Sequence, residues 1–171
     1  RMEPLWMGMG HAAGLAAHLA LESKERFHHM NVAKLQKHLI EQGQVIAYFD
    51  DLEKNDAARE AIQYWACHGF FKQYQCRPRD ECRGSEVRPW LEIFIKNINE
   101  SESAPLVFVS ERLVSGYGTG RTLSIAAFLD VIALVKPEFM DRLNTDQSWL
   151  YKKRDFDEMI MRGEVCMALY R

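Results

Sequence analysis

No stretch of this 171-residue sequence stays apolar for the roughly 18–20 residues that a membrane-spanning helix needs. The most apolar stretch, MGMGHAAGLAAHLAL at residues 7–21, is broken by glycines and by His11 and His18. Charge of one sign is also missing. Twenty-two Lys and Arg stand against 24 Asp and Glu, for a net charge of −2 and a pI near 6.3. That balance argues against a nucleic-acid partner, which needs a basic footprint. Cysteine is scarce: Cys67, Cys76, Cys82 and Cys166 form no CxxC pair and match no standard zinc spacing. A set from Cys67, His68, Cys76 and Cys82 is the nearest approach to one, and a Cys76–Cys82 disulfide remains open if the protein is exported. No basic segment precedes an apolar run and a cleavage site, so no secretory leader is read. There is no P-loop, no recognisable Ser-His-Asp arrangement, and no GxGxxG after a strand with an acidic residue some 20 positions on. The composition, 47% hydrophobic and 27% charged, is that of a globular protein: one domain, or a small domain plus a fragment.

What is present reads as helix. The opening run predicts a helix over about 10–22. Asn31 caps a second one, NVAKLQKHLIEQG, in which Val32, Leu35 and Leu39 recur at helical spacing and Gly43 ends the run. VIAYF, residues 45–49, is a linker strand or extended crossing, and a boundary falls near residue 44. Beyond it, helices are predicted from about Asp56 to His68 before Gly69, through EVRPWLEIFIKNI, and over SAPLVFVSERLVSGYG. SIAAFLDVIALV stops before Pro137, and an amphipathic helix closes the chain. Pro89 is tolerated if its helix starts a residue or two earlier. Trp65, Trp90 and Trp149 read as core, and the His28-His29 pair as solvent-facing.

The second region repeats a unit of helix, Gly-bearing loop and helix. Polar turns carrying Arg83, Arg121 and Arg162 each precede an apolar helix, at a spacing typical of repeat architectures. Units this short must pack together to bury their apolar faces. The expected fold is therefore mainly α: short helical repeats packed as a bundle, with an N-terminal helical segment left over from another domain.

Residues 1–44 resemble the C-terminal end of a family of FAD-dependent oxidoreductases. In that family an Arg-x-x-Pro stretch leads into a Gly-x-Ala-Ala-Gly-x-Ala-Ala helix, then a helix with a Leu-Gln pair. Here these are Arg1, Pro4, Gly10-His11-Ala12-Ala13-Gly14-Leu15-Ala16-Ala17 and Leu35-Gln36. The resemblance implies that the chain is the C-terminal piece of a flavoenzyme whose flavin-binding domain is its partner and whose FAD is its cofactor. A helix N-terminus offers unpaired N–H groups and partial positive charge to the negative charge of a reduced flavin. Gly10, His11 and Ala12 are the expected amide donors, with Gly8 and Gly10 allowing close approach. The plain alternative is a small-residue packing helix without a ligand. No catalytic residue is assigned; His11 in a first turn reads as solvated or hydrogen-bonded.

Residues 48–171 are similar to S-layer homology repeats, which run Phe-x-Asp, an Ala-Ile helix, a Gly-aromatic turn, an Arg-Pro segment and a Thr-Arg-Ala-Glu helix start. Phe49-Asp50-Asp51, Ala58-Arg59-Glu60-Ala61-Ile62, Gly69-Phe70-Phe71, Arg77-Pro78 and Glu86 follow that order, and Arg162-Gly163-Glu164 is the closest copy of the helix start. Gly84 stands where the pattern has arginine, and the middle unit reads Ser124-Ile125-Ala126-Ala127. This likeness implies a bacterial exported or cell-surface module binding a cell-wall polymer through Arg162 and Glu164. Its rivals are a helical domain at 45–171 that stabilises or docks the flavoenzyme, and a purely structural one. If the opening helix lacks its partner domain, residues 5–21 are expected either to be disordered or to form the main contact between two copies.

Overall fold

The structure, a computed structural model, describes residues 2–24, 26–98, 120–135, 137–153 and 155–170. Among them the protein is mainly helical, with seven α-helices and no strands. The helix expected within SAPLVFVSERLVSGYG lies outside the described residues. The chain divides into two compact units, residues 1–48 and 49–171.

The first unit is a hairpin of α1 (Glu3–Ser23) and α2 (Val32–Glu41), joined through a 3₁₀ turn at Phe27–His29. Asn31 caps α2 through its side chain, which accepts from the Lys34 amide. The α2 end is followed by Gly43, whose φ of +82° only glycine adopts without strain. α1 begins seven residues before the predicted start, because Pro4 and Glu3 make a favourable first turn and no residue up to Gly8 opposes helix. One face, built on Ala16 and Leu19, packs against Leu39 and Ile40 of α2. The stretch at 45–49, read as a linker strand or an extended crossing, carries no strand.

The second unit contains α3 (Arg59–Cys67), α4 (Gly84–Ile98), α5 (Ile125–Val135), α6 (Pro137–Thr145) and α7 (Arg162–Tyr170). Gly69 ends α3 at φ +92°. Pro89 sits well inside α4 rather than in its first turn, on the exposed side, so one backbone bond to Ser85 is forgone. α6 is unanticipated: Pro137 stops α5 but also starts the next helix, since its fixed φ suits a first position. α7 packs along α3. It is not amphipathic, because every residue from Gly163 to Leu169 is buried.

Three turns before α4, α5 and α7 organise this unit. Cys82 donates its amide to the Ile160 carbonyl (2.8 Å), Ile160 to Leu123 (2.8 Å), and Leu123 back to Cys82 (3.0 Å). A second ring surrounds the first, with Gly84 donating to Arg121 (3.1 Å), Ile125 to Glu158 (2.9 Å) and Arg162 to Asp80 (3.0 Å). The bridges Glu81–Met161, Arg83–Thr122 and Ser124–Met159 follow the same cycle. Cys82, Leu123 and Ile160 are fully buried, so these amides have no water to turn to and the bonds are obligatory. In this frame the three turn arginines are not equivalent. Arg83 lies one residue after its ring member, Arg121 two before and Arg162 two after.

Each helix start is then capped. Glu86 and Glu164 reach back to the amides of Arg83 and Met161, the reciprocal half of a capping box. The α5 turn lacks the acid, and the Ser124 hydroxyl instead accepts from the Ala127 amide. Beside the hub, Trp65, Phe70 and Trp90 stack in series, at 4.6 and 5.0 Å between centroids. The indole N–H groups of Trp65, Trp90 and Trp149 donate to the carbonyls of Cys166, Phe70 and Leu143, so all three tryptophans sit in the core as expected.

Candidate functional site

Two places carry the residues singled out from the sequence, one in each unit. In the first, α1 starts at Glu3, so Gly10, His11 and Ala12 lie in the helix interior, where their amides belong to the helix's own ladder. The unpaired amides are those of the first turn, where Glu3 adds negative charge and Pro4 removes a donor. His11 bridges the hairpin: Nδ1 lies 2.7 Å from Gln44 Oε1 and Nε2 lies 2.6 Å from Gln42 Oε1. Gln44 Nε2 in turn donates to the Gly8 carbonyl (3.3 Å). In this arrangement the amides of Gly10, His11 and Ala12 are not free donors, and the Gly8 carbonyl accepts from Gln44.

The glycines tell a second story. A Cβ at Gly8 would press on the Gln44 amide at 3.2 Å, so packing within the hairpin explains that glycine. A Cβ at Gly10 or Gly14 would meet nothing within 4 Å. Glycine costs a helix about 1 kcal/mol relative to alanine, and no contact among the described residues calls for glycine at either position.

In the second unit, Arg162 opens α7 with its side chain only 15% exposed. Its Nη2 lies 3.4 Å from Glu86 Oε1, and its guanidinium stands 5.7 and 5.5 Å from the ring centroids of Phe71 and Trp90. Its Nε is buried without a hydrogen-bond partner among the described residues. Glu164 is fully buried, and its two oxygens accept from the amides of Tyr151 (3.1 Å) and Met161 (2.9 Å). The pair thus divides: Glu164 holds the α7 turn to the preceding loop, while Arg162 is a cation in an aromatic setting.

Sequence reasoning missed a polar cluster beside an open concavity of about 580 Å³. The Asp51 carboxylate accepts from the amides of Cys76 (2.9 Å) and Arg77 (2.7 Å) and from the Cys76 thiol (3.3 Å). Burial raises the Asp51 pKa, but these hydrogen bonds outweigh it and hold the group below the ordinary value of 3.8. Asp56 accepts from the Ala58 amide (2.8 Å) and the Tyr151 hydroxyl (3.0 Å) and pairs with Arg79 at 3.2 Å. The Arg79 guanidinium lies 3.6 Å above the Tyr151 ring. Burial first, then the Asp56 charge, push the Tyr151 phenol far above its ordinary value. The only local signal for the cluster was that Asp precedes a turn or helix start at both positions.

Burial, then the neighbouring Asp51, raises the Cys76 thiol to about 12, and burial leads the upward shifts of Cys82 and Cys166. All four cysteines are free thiols. Among the described residues no group of three or more His, Cys, Asp or Glu side chains is placed to hold a metal ion, and no helix is long and apolar enough to cross a membrane.

Comparison with known proteins bears on the first unit. The model of a family described as FAD dependent oxidoreductase matches residues 1–39. This supports an FAD-dependent oxidoreductase segment at the start of the chain, and the family implies FAD in a parent protein. No curated protein and no solved structure matches the chain.

Proposed function

We propose that residues 1–44 are the C-terminal segment of a flavin-binding oxidoreductase domain, and that 45–171 is an appended helical domain serving stability or docking. The family match over residues 1–39 carries this reading. The glycines at 10 and 14 support it, since each is costly in a helix and unexplained by contacts among the described residues. The chain alone has no dinucleotide cradle, so it is not catalytic by itself and the redox chemistry belongs to the parent's cofactor.

For Gly8, Gly10, His11 and Ala12 to face the flavin, the first two turns of α1 must leave the helix when the parent domain is present. The helix then starts at Gly10 and the amides of Gly10 to Ala12 become its unpaired ones. The His11 bridge to Gln42 and Gln44 opens in the same step. The test is Gly10→Val in the complete flavoprotein: flavin content per chain is expected to fall to near zero. Unchanged loading overturns the cap.

A second reading has its own support. The closed cycle of amides among Cys82, Leu123 and Ile160 ties together the three turns in which the S-layer-homology-like pattern is read. In that reading the second unit binds an anionic cell-wall polymer at a bacterial surface through Arg162, set against Phe71 and Trp90, with Glu164 fixing its turn. Only Arg162 among the residues two places after the ring members is basic, its counterparts being Gly84 and Ile125. Co-sedimentation of the chain with purified cell-wall polymer, lost in Arg162→Ala, favours this reading; no co-sedimentation removes it.

A further inference from the structure

We propose that the open concavity between residues 51–56 and 75–80 binds a dibasic α-amino acid such as lysine. Arg77 takes its carboxylate, and Glu53 and Asp80 take its two ammonium groups. The volume of about 580 Å³ lies within the range of small-molecule pockets. The proposal rests on neither reading of the function, and Arg162, Phe71 and Trp90 are not among the lining residues.

Four carboxylates and two guanidiniums line the cavity: Asp51, Glu53, Asp56 and Asp80 against Arg77 and Arg79. Half of these charges are already engaged. Asp51 accepts from the Cys76 and Arg77 amides and from the Cys76 thiol. Asp56, its side chain only 5% exposed, holds the Ala58 amide, the Tyr151 hydroxyl and Arg79. Arg79 is spent on that pair and on the face of the Tyr151 ring. These contacts fix the walls. Among the described residues no ion pair reaches Glu53, Asp80 or Arg77, and the Arg77 side chain meets only Gln75 Oε1, at 3.4 Å. Lys54 and Arg59 stand nearby in sequence, but neither lines the cavity, and Arg59 bonds the Glu53 carbonyl (3.4 Å) rather than its carboxylate.

The three unengaged charges select the ligand. A simple anion would meet four carboxylates. A metal ion would need several of them together, and no three are so placed among the described residues. A polyamine would set its own positive charge against Arg77. One carboxylate and two ammonium groups in a single molecule match all three. Arg77 also stands at φ +48°, a conformation that glycine adopts freely and other residues rarely. Arg77→Gly therefore removes the guanidinium while relieving the backbone, which separates a binding role from a structural one.

L-Lysine titrated into the full chain at constant ionic strength, followed by NMR amide shifts, is expected to saturate with a Kd of about 1 mM, since the three pairs are exposed and each is weak. The shifts are expected to centre on residues 51–56 and 75–80. Lysinamide, Nα-acetyl-lysine and norleucine each lack one of the three groups and are expected to bind about threefold more weakly. Arg77→Gly is expected to weaken lysine binding about fivefold while the thermal midpoint holds or rises. Should the midpoint fall instead, the same loss is read from Arg77→Gln, which keeps most of the stem and removes the charge. Glu53→Gln combined with Asp80→Asn is expected to bring lysine down to the level of norleucine. No saturation by about 50 mM lysine overturns the proposal. So does any of the three analogues binding as tightly as lysine, or undiminished binding by the Arg77 variants.

Discussion

Gly163 lies directly beneath the phenol of Tyr151. A Cβ at Gly163 would fall 2.8 Å from Tyr151 Cζ, closer still to the hydroxyl, and 3.0 Å from the Ala58 methyl. The ring cannot simply swing away, because its hydroxyl donates to Asp56 and Arg79 covers its outer face. Gly163→Ala is therefore expected to destabilise the protein by about 1–3 kcal/mol, the usual cost of overpacking. Tyr151→Ala should relieve it: in a double-mutant cycle, Gly163→Ala costs little once the phenol is gone. Equal costs in both backgrounds would show that the ring is not what the glycine accommodates.

Asp51 predicts an acid sensitivity with a definite sign. Its pKa is held below 3.8 in the folded chain by the donors at Cys76 and Arg77, against the upward push of burial. A depressed carboxylate contributes stability that is fully present above its unfolded value and is lost as pH falls through the folded one. Urea midpoints should thus drop as pH is lowered from about 4. Asp51→Asn keeps one acceptor oxygen, so it should cost about 1 kcal/mol at neutral pH and flatten the acid limb. An acid limb as steep in Asp51→Asn as in the wild type would assign the sensitivity to other groups.

Much of the helical layout was legible because its signals are local. Asn31, Gly43 and Gly69 mark ends by caps and by φ values that few other residues tolerate, and the structure places them so. α6 was missed because Pro137 was read only as a stop, although the same ring geometry favours a start. The start of α1 was misplaced because Gly8 was left outside a helix that begins at Glu3. The hub was the least legible part. Cys82, Leu123 and Ile160 share nothing but burial, and their pairing runs through backbone amides that carry no residue signature. The conspicuous arginines were a poor guide to it, since they stand at three different offsets from the ring members. The bond from Tyr151 to Asp56 spans 95 positions of sequence, and no local pattern announces it.

The second unit should fold without the first. Its hub, its stacked tryptophans and the Asp51 and Asp56 caps all draw partners from residue 49 onward. A chain beginning near Ala47 is expected to give a helical far-ultraviolet spectrum and one cooperative thermal transition. The three turns hold one another through both rings of bonds, so no helix pair should melt ahead of the rest. A disordered product, or two resolved transitions, would show that the hub is not the unit of cooperativity.

The isolated chain should not retain FAD. A dinucleotide is held chiefly at its pyrophosphate, which needs several unpaired amides at a helix start and close backbone approach. No GxGxxG stretch supplies such a cradle in this sequence. The first turn of α1 is a poor substitute, because Glu3 repels phosphate and Pro4 has no amide proton to offer. The amides of Gly10, His11 and Ala12 are spent within α1, and the His11 ring is tied to Gln42 and Gln44. Equilibrium dialysis with FAD should therefore give a Kd weaker than about 100 µM, a binding energy near that of nonspecific contact. Purified protein that keeps a flavin absorbance band through dialysis would mean that the chain builds a pyrophosphate site from residues other than these.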